Sequence, residues 1–150
     1  MMRKILIATA VLSVFVIPAL AQAPKLDGAY EFKSVTFQGG QQTDAEAKGM
    51  LLVHGKYFAN VRANLNRKPW SQSDPADDRT KKIVAAFQGL TANCGTFEIQ
   101  GNIVTMHHTA AASPGAVGTS SKWEFKLEGN KLTLKPQAAA GVEFVFEKLP

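Results

Sequence analysis

Few residues of this chain are able to do chemistry, and most of them stand alone. His107 and His108 are adjacent, a spacing that serves one metal ion or one proton transfer only if both rings reach the same point. On an extended strand, neighbouring side chains project to opposite faces, so the pair cannot share a metal without a bulge. The row Val104, Met106, His108 is the more apolar of the two, which points His108 inward and His107 to solvent. An inward imidazole can orient a polar ligand group or act as a base. It can also simply bond a neighbour inside a core. His54 lies in the turn His54-Gly55-Lys56 and reads as a surface residue. With Cys94 and Met106, these histidines lack any compact spacing for zinc, copper or haem, so neither a metal nor a cofactor is expected.

The remaining reactive types are no better placed. Cys94 is the single cysteine, so no internal disulfide can form, and no base stands near it in sequence to activate a thiolate. Ser120 and Ser121 open an expected strand and read as structural. There is no G-x-S-x-G, no phosphate-binding glycine loop and no H-E-x-x-H. Arg62, late in the third expected strand and beside a long polar loop, can pair with a carboxylate at a rim; as a lone strand cation it otherwise reads as solvated. Trp70, next to Pro69 in that loop, is a lid candidate. The aromatic residues Tyr30, Phe32, Tyr57, Phe97, Trp123, Phe125, Phe144 and Phe146 either line an apolar cavity or fill the space where one would be.

Strands must position all of these. Phe97 and Ile99, then Trp123, Phe125 and Leu127, then Leu132 and Leu134 alternate with polar residues, and Gly101-Asn102 and Gly129-Asn130 interrupt the runs. Period two broken by polar turns predicts antiparallel strands with one dry face. Expected strands cover 28–37, 49–53, 57–61, 92–100, 103–111, 119–127, 131–135 and 142–147, with Gly55 supplying the positive φ of a tight hairpin turn. One helix is expected over 76–88. Asp74 is its cap, Pro75 its first position, and Asp77 and Asp78 face the positive helix end. Most neighbours are joined by tight turns, so consecutive strands should pair. The expected fold is all-β, an eight-stranded antiparallel up-and-down barrel with one short α-helix across one end. The segments 38–48 and 64–73 would lie at the barrel mouth. Inward positions read as almost wholly apolar or aromatic.

The N-terminus reads as a leader. Arg3 and Lys4 precede an apolar run from Ile5 to Leu20, and Ala19-Leu20-Ala21 gives the small-x-small cleavage pattern. Cleavage is expected after Ala21, the alternative after Ala23 placing Pro24 at the new terminus. The run is short for a spanning helix, so no stable membrane anchor is expected, and residues 22–150 form one domain in the periplasm or outside the cell. Loss of Arg3 and Lys4 lowers the formal charge from +5 to about +3. The remaining basic residues are scattered rather than clustered, which argues against a nucleic-acid partner.

The segment Leu26-Asp27-Gly28-Ala29-Tyr30 resembles the G-x-W opening of lipocalins, with Tyr30 in place of the tryptophan. The hairpin 49–61, the helix ending Ala85-Ala86-Phe87-Gln88-Gly89, the strand Cys94-Gly95-Thr96-Phe97-Glu98-Ile99, Val104-Thr105-Met106-His107-His108 and the hairpin 127–134 follow in an order similar to the bacterial and fungal lipocalin-like domain family. That resemblance implies a calycin-type barrel with a central cavity and implies no single activity, since the fold hosts carriers, inhibitors and a few enzymes.

Three functions are compatible with these residues. The first is binding of a small hydrophobic or amphipathic molecule by Tyr30, Phe32, Tyr57, Arg62, Trp70, Phe97, Met106, His108, Trp123, Phe125 and Phe144. The second is an isomerase, cyclase or lyase with His108 as acid or base and Tyr30 or Tyr57 as hydrogen-bond donor. The third is a non-catalytic interaction or envelope-stress protein whose barrel is filled. An open cavity separates the third from the first two. The polar groups facing His108 bear on the second.

Overall fold

The structure, a computed structural model, describes residues 26–150. The leader expected over residues 1–21, and both of its cleavage points, lie outside the described residues. In chain order the elements are β1 (Gly28–Phe37), β2 (Gly40–Thr43), β3 (Ala47–His54), β4 (Tyr57–Asn64), α1 (Ala76–Gln88), β5 (Leu90–Gln100), β6 (Ile103–Ala111), β7 (Ser120–Glu128), β8 (Lys131–Pro136) and β9 (Glu143–Lys148). From β3 to β9 each strand pairs antiparallel with the next, and β1 pairs with both β3 and β9. This closes the expected eight-stranded barrel.

The extra strand, β2, falls in a segment expected to be loop. Residues Gly28–Glu31 of β1 pair with β3, whereas Ser34–Phe37 pair with β2. The two strands therefore share one edge of β1 in succession. The polar composition of β2 fits its place, since it extends the barrel wall beyond the packed core.

The turns at 55–56, 101–102 and 129–130 lie at one end of the barrel, and Gly55 adopts φ +58° as its hairpin requires. The other end carries the longer connections, including 65–89 with its helix. The interior of the short-turn end is solid. Tyr30, Phe32, Leu132 and Val104 are fully buried there, with Val53, Phe58 and Phe125 around them. The Tyr30 hydroxyl donates to the Leu26 carbonyl at 2.8 Å and ties the chain entry under this floor. Phe32 and Phe146 meet edge-to-face with centroids 6.0 Å apart, a favoured aromatic geometry.

Helix α1 has the expected bounds but a different start and a different role. Pro75, not Asp74, is its cap residue and makes no side-chain cap bond. The Asp74 carboxylate instead accepts from the Ser71 backbone N–H at 2.9 Å and from Lys82 Nζ at 3.0 Å. Pro75 holds an extended backbone, ψ 140°, and Asp74 is turned back on the preceding loop. No residue of α1 is buried, and Ile83, Val84 and Phe87 are exposed. The helix therefore belongs to the long connection at the open end and is not packed into it as a stopper.

Candidate functional site

Above the solid floor the barrel interior opens into a cavity of about 150 Å³, lined by Leu51, Asn60, Arg62, Thr91, Asn93, Met106, His108, Trp123, Leu134, Phe144 and Phe146. An eight-stranded barrel has room for its own side chains or for one small ligand; here the lower half takes the first course and the upper half the second. The apolar part of the wall comes from β6 to β9, where period-two alternation carries Met106, Trp123, Leu134 and Phe144 inward. Trp123 and Phe144 meet edge-to-face at 5.6 Å.

The polar part was not legible as such. On β4 the inward row is Phe58, Asn60, Arg62, while Tyr57 and Val61 are about half exposed on the outer face. Strand pairing sets Asn60 opposite Asn93 and Arg62 opposite Thr91. A wedge of four polar side chains thus faces the cavity, against the expectation of an apolar interior. Arg62 is turned in rather than solvated at the rim. Its inward neighbour on β3 is Gly49, where a Cβ would come within 3.0 Å of the Arg62 Cβ, so the missing side chain leaves the arginine its path. The guanidinium lies 5.4 Å from the Phe32 ring centroid and 5.6 Å from that of Phe144, within cation–π range. Its Nη1 donates to Gln42 Oε1 at 2.7 Å, and Gln42 Nε2 donates to Asn64 Oδ1 at 3.2 Å. Here β2 has its use: it holds the glutamine that fixes the arginine. Burial lowers the Arg62 pKa from its ordinary value, and the group remains a cation as arginine does in proteins.

His108 faces the same cavity from β6. A bulge next to it, where Cys94 pairs with Ala110 but Gly95 with His108, bends the strand. Gly95 permits the close approach of the two strands, since a Cβ there would fall 1.8 Å from the His107 carbonyl oxygen. Trp123 Nε1–H donates to Ser121 Oγ at 2.8 Å, and Ser121 Oγ stands 2.9 Å from His108 Nε2. An indole N–H only donates, and the Ser121 hydroxyl has no other side-chain acceptor among the described residues. The hydroxyl has two lone pairs and one hydrogen, so it serves His108 Nε2 as donor or acceptor according to the ring tautomer. His108 Nδ1 and Asn60 Oδ1 are buried and have no partner. Burial, and secondarily His107, lowers the His108 pKa below the usual 6.5.

Of the residues expected to bind a ligand, Arg62, Met106, His108, Trp123 and Phe144 are brought together here. Tyr30 and Phe32 are floor, Phe125 is buried below the cavity, and Phe97 packs against that core. Tyr57 stands on the outer face and Trp70 is 47% exposed, so neither lines the cavity. The tyrosine donors of the enzymatic reading are thereby absent from it. Phe146 and Leu134, expected on the inward face as lining or filling, line the cavity, whereas Asn60, Thr91, Asn93 and Leu51 were not anticipated as site residues. Among the described residues no group of His, Cys, Asp and Glu could hold a metal ion.

A family model described as a lipocalin-like domain matches residues 33–144. Among solved structures, a lipocalin-like protein from Bacteroides uniformis ATCC 8492 is 13% identical, with a TM-score of 0.50 over 83% of this chain and 98% of that one. An uncharacterised protein from Bacteroides eggerthii DSM 20697 is 11% identical, with a TM-score of 0.51 over 83% of this chain and 100% of that one. No curated protein matches the chain.

Proposed function

Because the chain belongs to the lipocalin-like domain family, we propose that it is an exported binding protein that holds a small, mostly apolar molecule in the upper half of its barrel. The observation that carries this reading is the cavity itself, about 150 Å³ of space in an otherwise filled interior, with apolar walls and a few polar groups. That is the form of a small-molecule site, and the volume suits a molecule of about one aromatic ring. Burial of apolar surface against Trp123, Phe144, Leu134 and Met106 supplies the affinity, about 25 cal/mol per Å² before the costs of association. The leader expected over residues 1–21 supports export to the periplasm or beyond. N-terminal sequencing of the exported protein checks it, a start at Gln22 being expected.

Trp123 lines the cavity and Trp70 does not, which gives a direct test. In a Trp70→Phe variant, ring-sized apolar ligands should change the remaining Trp123 fluorescence saturably. A flat response across a broad panel of such ligands would sink the reading.

One observation favours a second reading, in which His108 acts as acid or base in an isomerase, cyclase or lyase. His108 lines a cavity that also contains Asn60 and Asn93, and its buried Nδ1 has no hydrogen-bond partner, so the ring keeps a nitrogen uncommitted to the protein for proton exchange. Mass spectrometry of bound ligands after incubation decides it. A product that forms with the protein but not with His108→Gln supports it, and unchanged ligand rejects it.

A further inference from the structure

From the unmatched charge in this cavity we infer the ligand's class: a small organic monoanion, an aromatic or short aliphatic carboxylate, with its carboxylate on Arg62 and its apolar body against Trp123 and Phe144. The inference rests on the binding reading above and narrows it.

Three observations converge. First, Arg62 is the sole charged residue in the lining, and no aspartate or glutamate faces it there. Among the described residues it makes no ion pair, and its single side-chain hydrogen bond is to the neutral Gln42. A partly buried cation without an anion is costly, and the ring faces of Phe32 and Phe144 offset only part of that cost. Four of the five guanidinium N–H groups remain available to a carboxylate, which arginine's planar fork matches in two parallel bonds. Secondly, Arg62 is supported in its inward pose. The chain Asn64–Gln42–Arg62 holds it in place, so the donor is preorganised at the upper end of the cavity. Thirdly, the polar residues beside Arg62 in the lining are neutral and able to donate. Asn60, Thr91 and Asn93 each carry a side-chain N–H or O–H group. The cavity therefore pairs a guanidinium and neutral donor-bearing side chains with a ring-sized apolar wall.

The test uses benzoate, with benzyl alcohol and toluene as neutral counterparts of the same body, titrated by calorimetry near neutral pH. Benzoate is expected to bind about tenfold to a hundredfold more tightly than benzyl alcohol, the preference that charge-assisted hydrogen bonds support. Arg62→Met should abolish that preference while leaving toluene binding within about twofold. Should the variant fail to fold, the wild-type comparison still decides, joined by Arg62→Lys, which keeps the charge but loses the fork and should bind benzoate more weakly than wild type. Benzyl alcohol or toluene binding as tightly as benzoate would overturn the inference and leave the binding reading standing. Benzoate affinity unchanged in Arg62→Met would do the same. Absence of binding by all three probes would remove both.

Discussion

The two halves of the barrel interior are built from the same alternating strands and do opposite things. At the short-turn end the inward side chains are Tyr30, Phe32, Val53, Phe58, Phe125 and Leu132, all buried, and nothing polar interrupts them except the Tyr30 hydroxyl, which is bonded. Two and four residues further along β4, and at the same level on the adjoining β5 and β6, the inward rows become Asn60, Arg62, Asn93 and His108, and the interior opens. The teaching is that a strand's stabilising and recognising positions can share one face. Burial with all polar groups bonded gives rigidity. Polar atoms left unbonded beside a void give a place for something else to bond.

The sharpest way to break this comparison is a matched pair of truncations. Phe32→Ala should destabilise the fold by about 3–5 kcal/mol, as for a fully buried ring. Phe144→Ala, half-buried against the cavity, should cost roughly 1–2 kcal/mol and enlarge the site. Denaturant unfolding measures both, and equal losses would mean that the two halves are not mechanically distinct. A smaller contrast comes from hydroxyls. Tyr30→Phe strips the buried Leu26 carbonyl of its partner and should cost about 1–3 kcal/mol. Ser121→Ala breaks the relay to His108, but its partners lie at a cavity that water can enter, so the loss should stay below about 1 kcal/mol.

The smallest effect separates the two histidine–serine pairs on either side of one wall. His107 Nδ1 stands 2.8 Å from Ser120 Oγ and its Nε2 3.6 Å from Glu98, with 43% of the side chain exposed on the outer face. His108 makes the same kind of bond to Ser121 inside. Because burial lowers the His108 pKa, the unfolded chain takes up a proton at higher pH than the folded one. Stability is full above the ordinary imidazole value and falls as pH drops through it, levelling off once the folded ring is protonated. His108→Gln should flatten this slope between about pH 8 and pH 5.5, and His107→Gln should retain most of it, since burial is the larger cause. Unfolding midpoints across that range check the prediction. An unchanged slope in His108→Gln would show that acidification acts elsewhere.

How much of this was legible in the sequence depends on the strand. Along β7 and β8, polarity and inwardness coincide: Trp123, Phe125, Leu132 and Leu134 alternate with charged residues and Thr133, and their rows are where alternation places them. Along β4 they part. Val61 and Tyr57 look like core and lie outside; Asn60 and Arg62 look like surface and lie inside. A period of two divides a strand into two rows but names the inner one only by polarity, and a binding cavity is where that rule reverses. The segment 38–48 failed for a related reason. Its polar residues carry no strand signal, yet β1 outlasts β3 and offers β2 a free edge.

The sequence by itself therefore determined the eight barrel strands, their turns, the helix and its bounds, because hydrophobic periodicity and turn chemistry act over a few neighbours. Only the tertiary structure decided which half of the barrel is filled, that Arg62 points in, and that Gln42, Asn60, His108 and Trp123 serve one cavity. These depend on register and closure, which bring together residues from strands far apart in the chain, and no local pattern encodes the volume left between them.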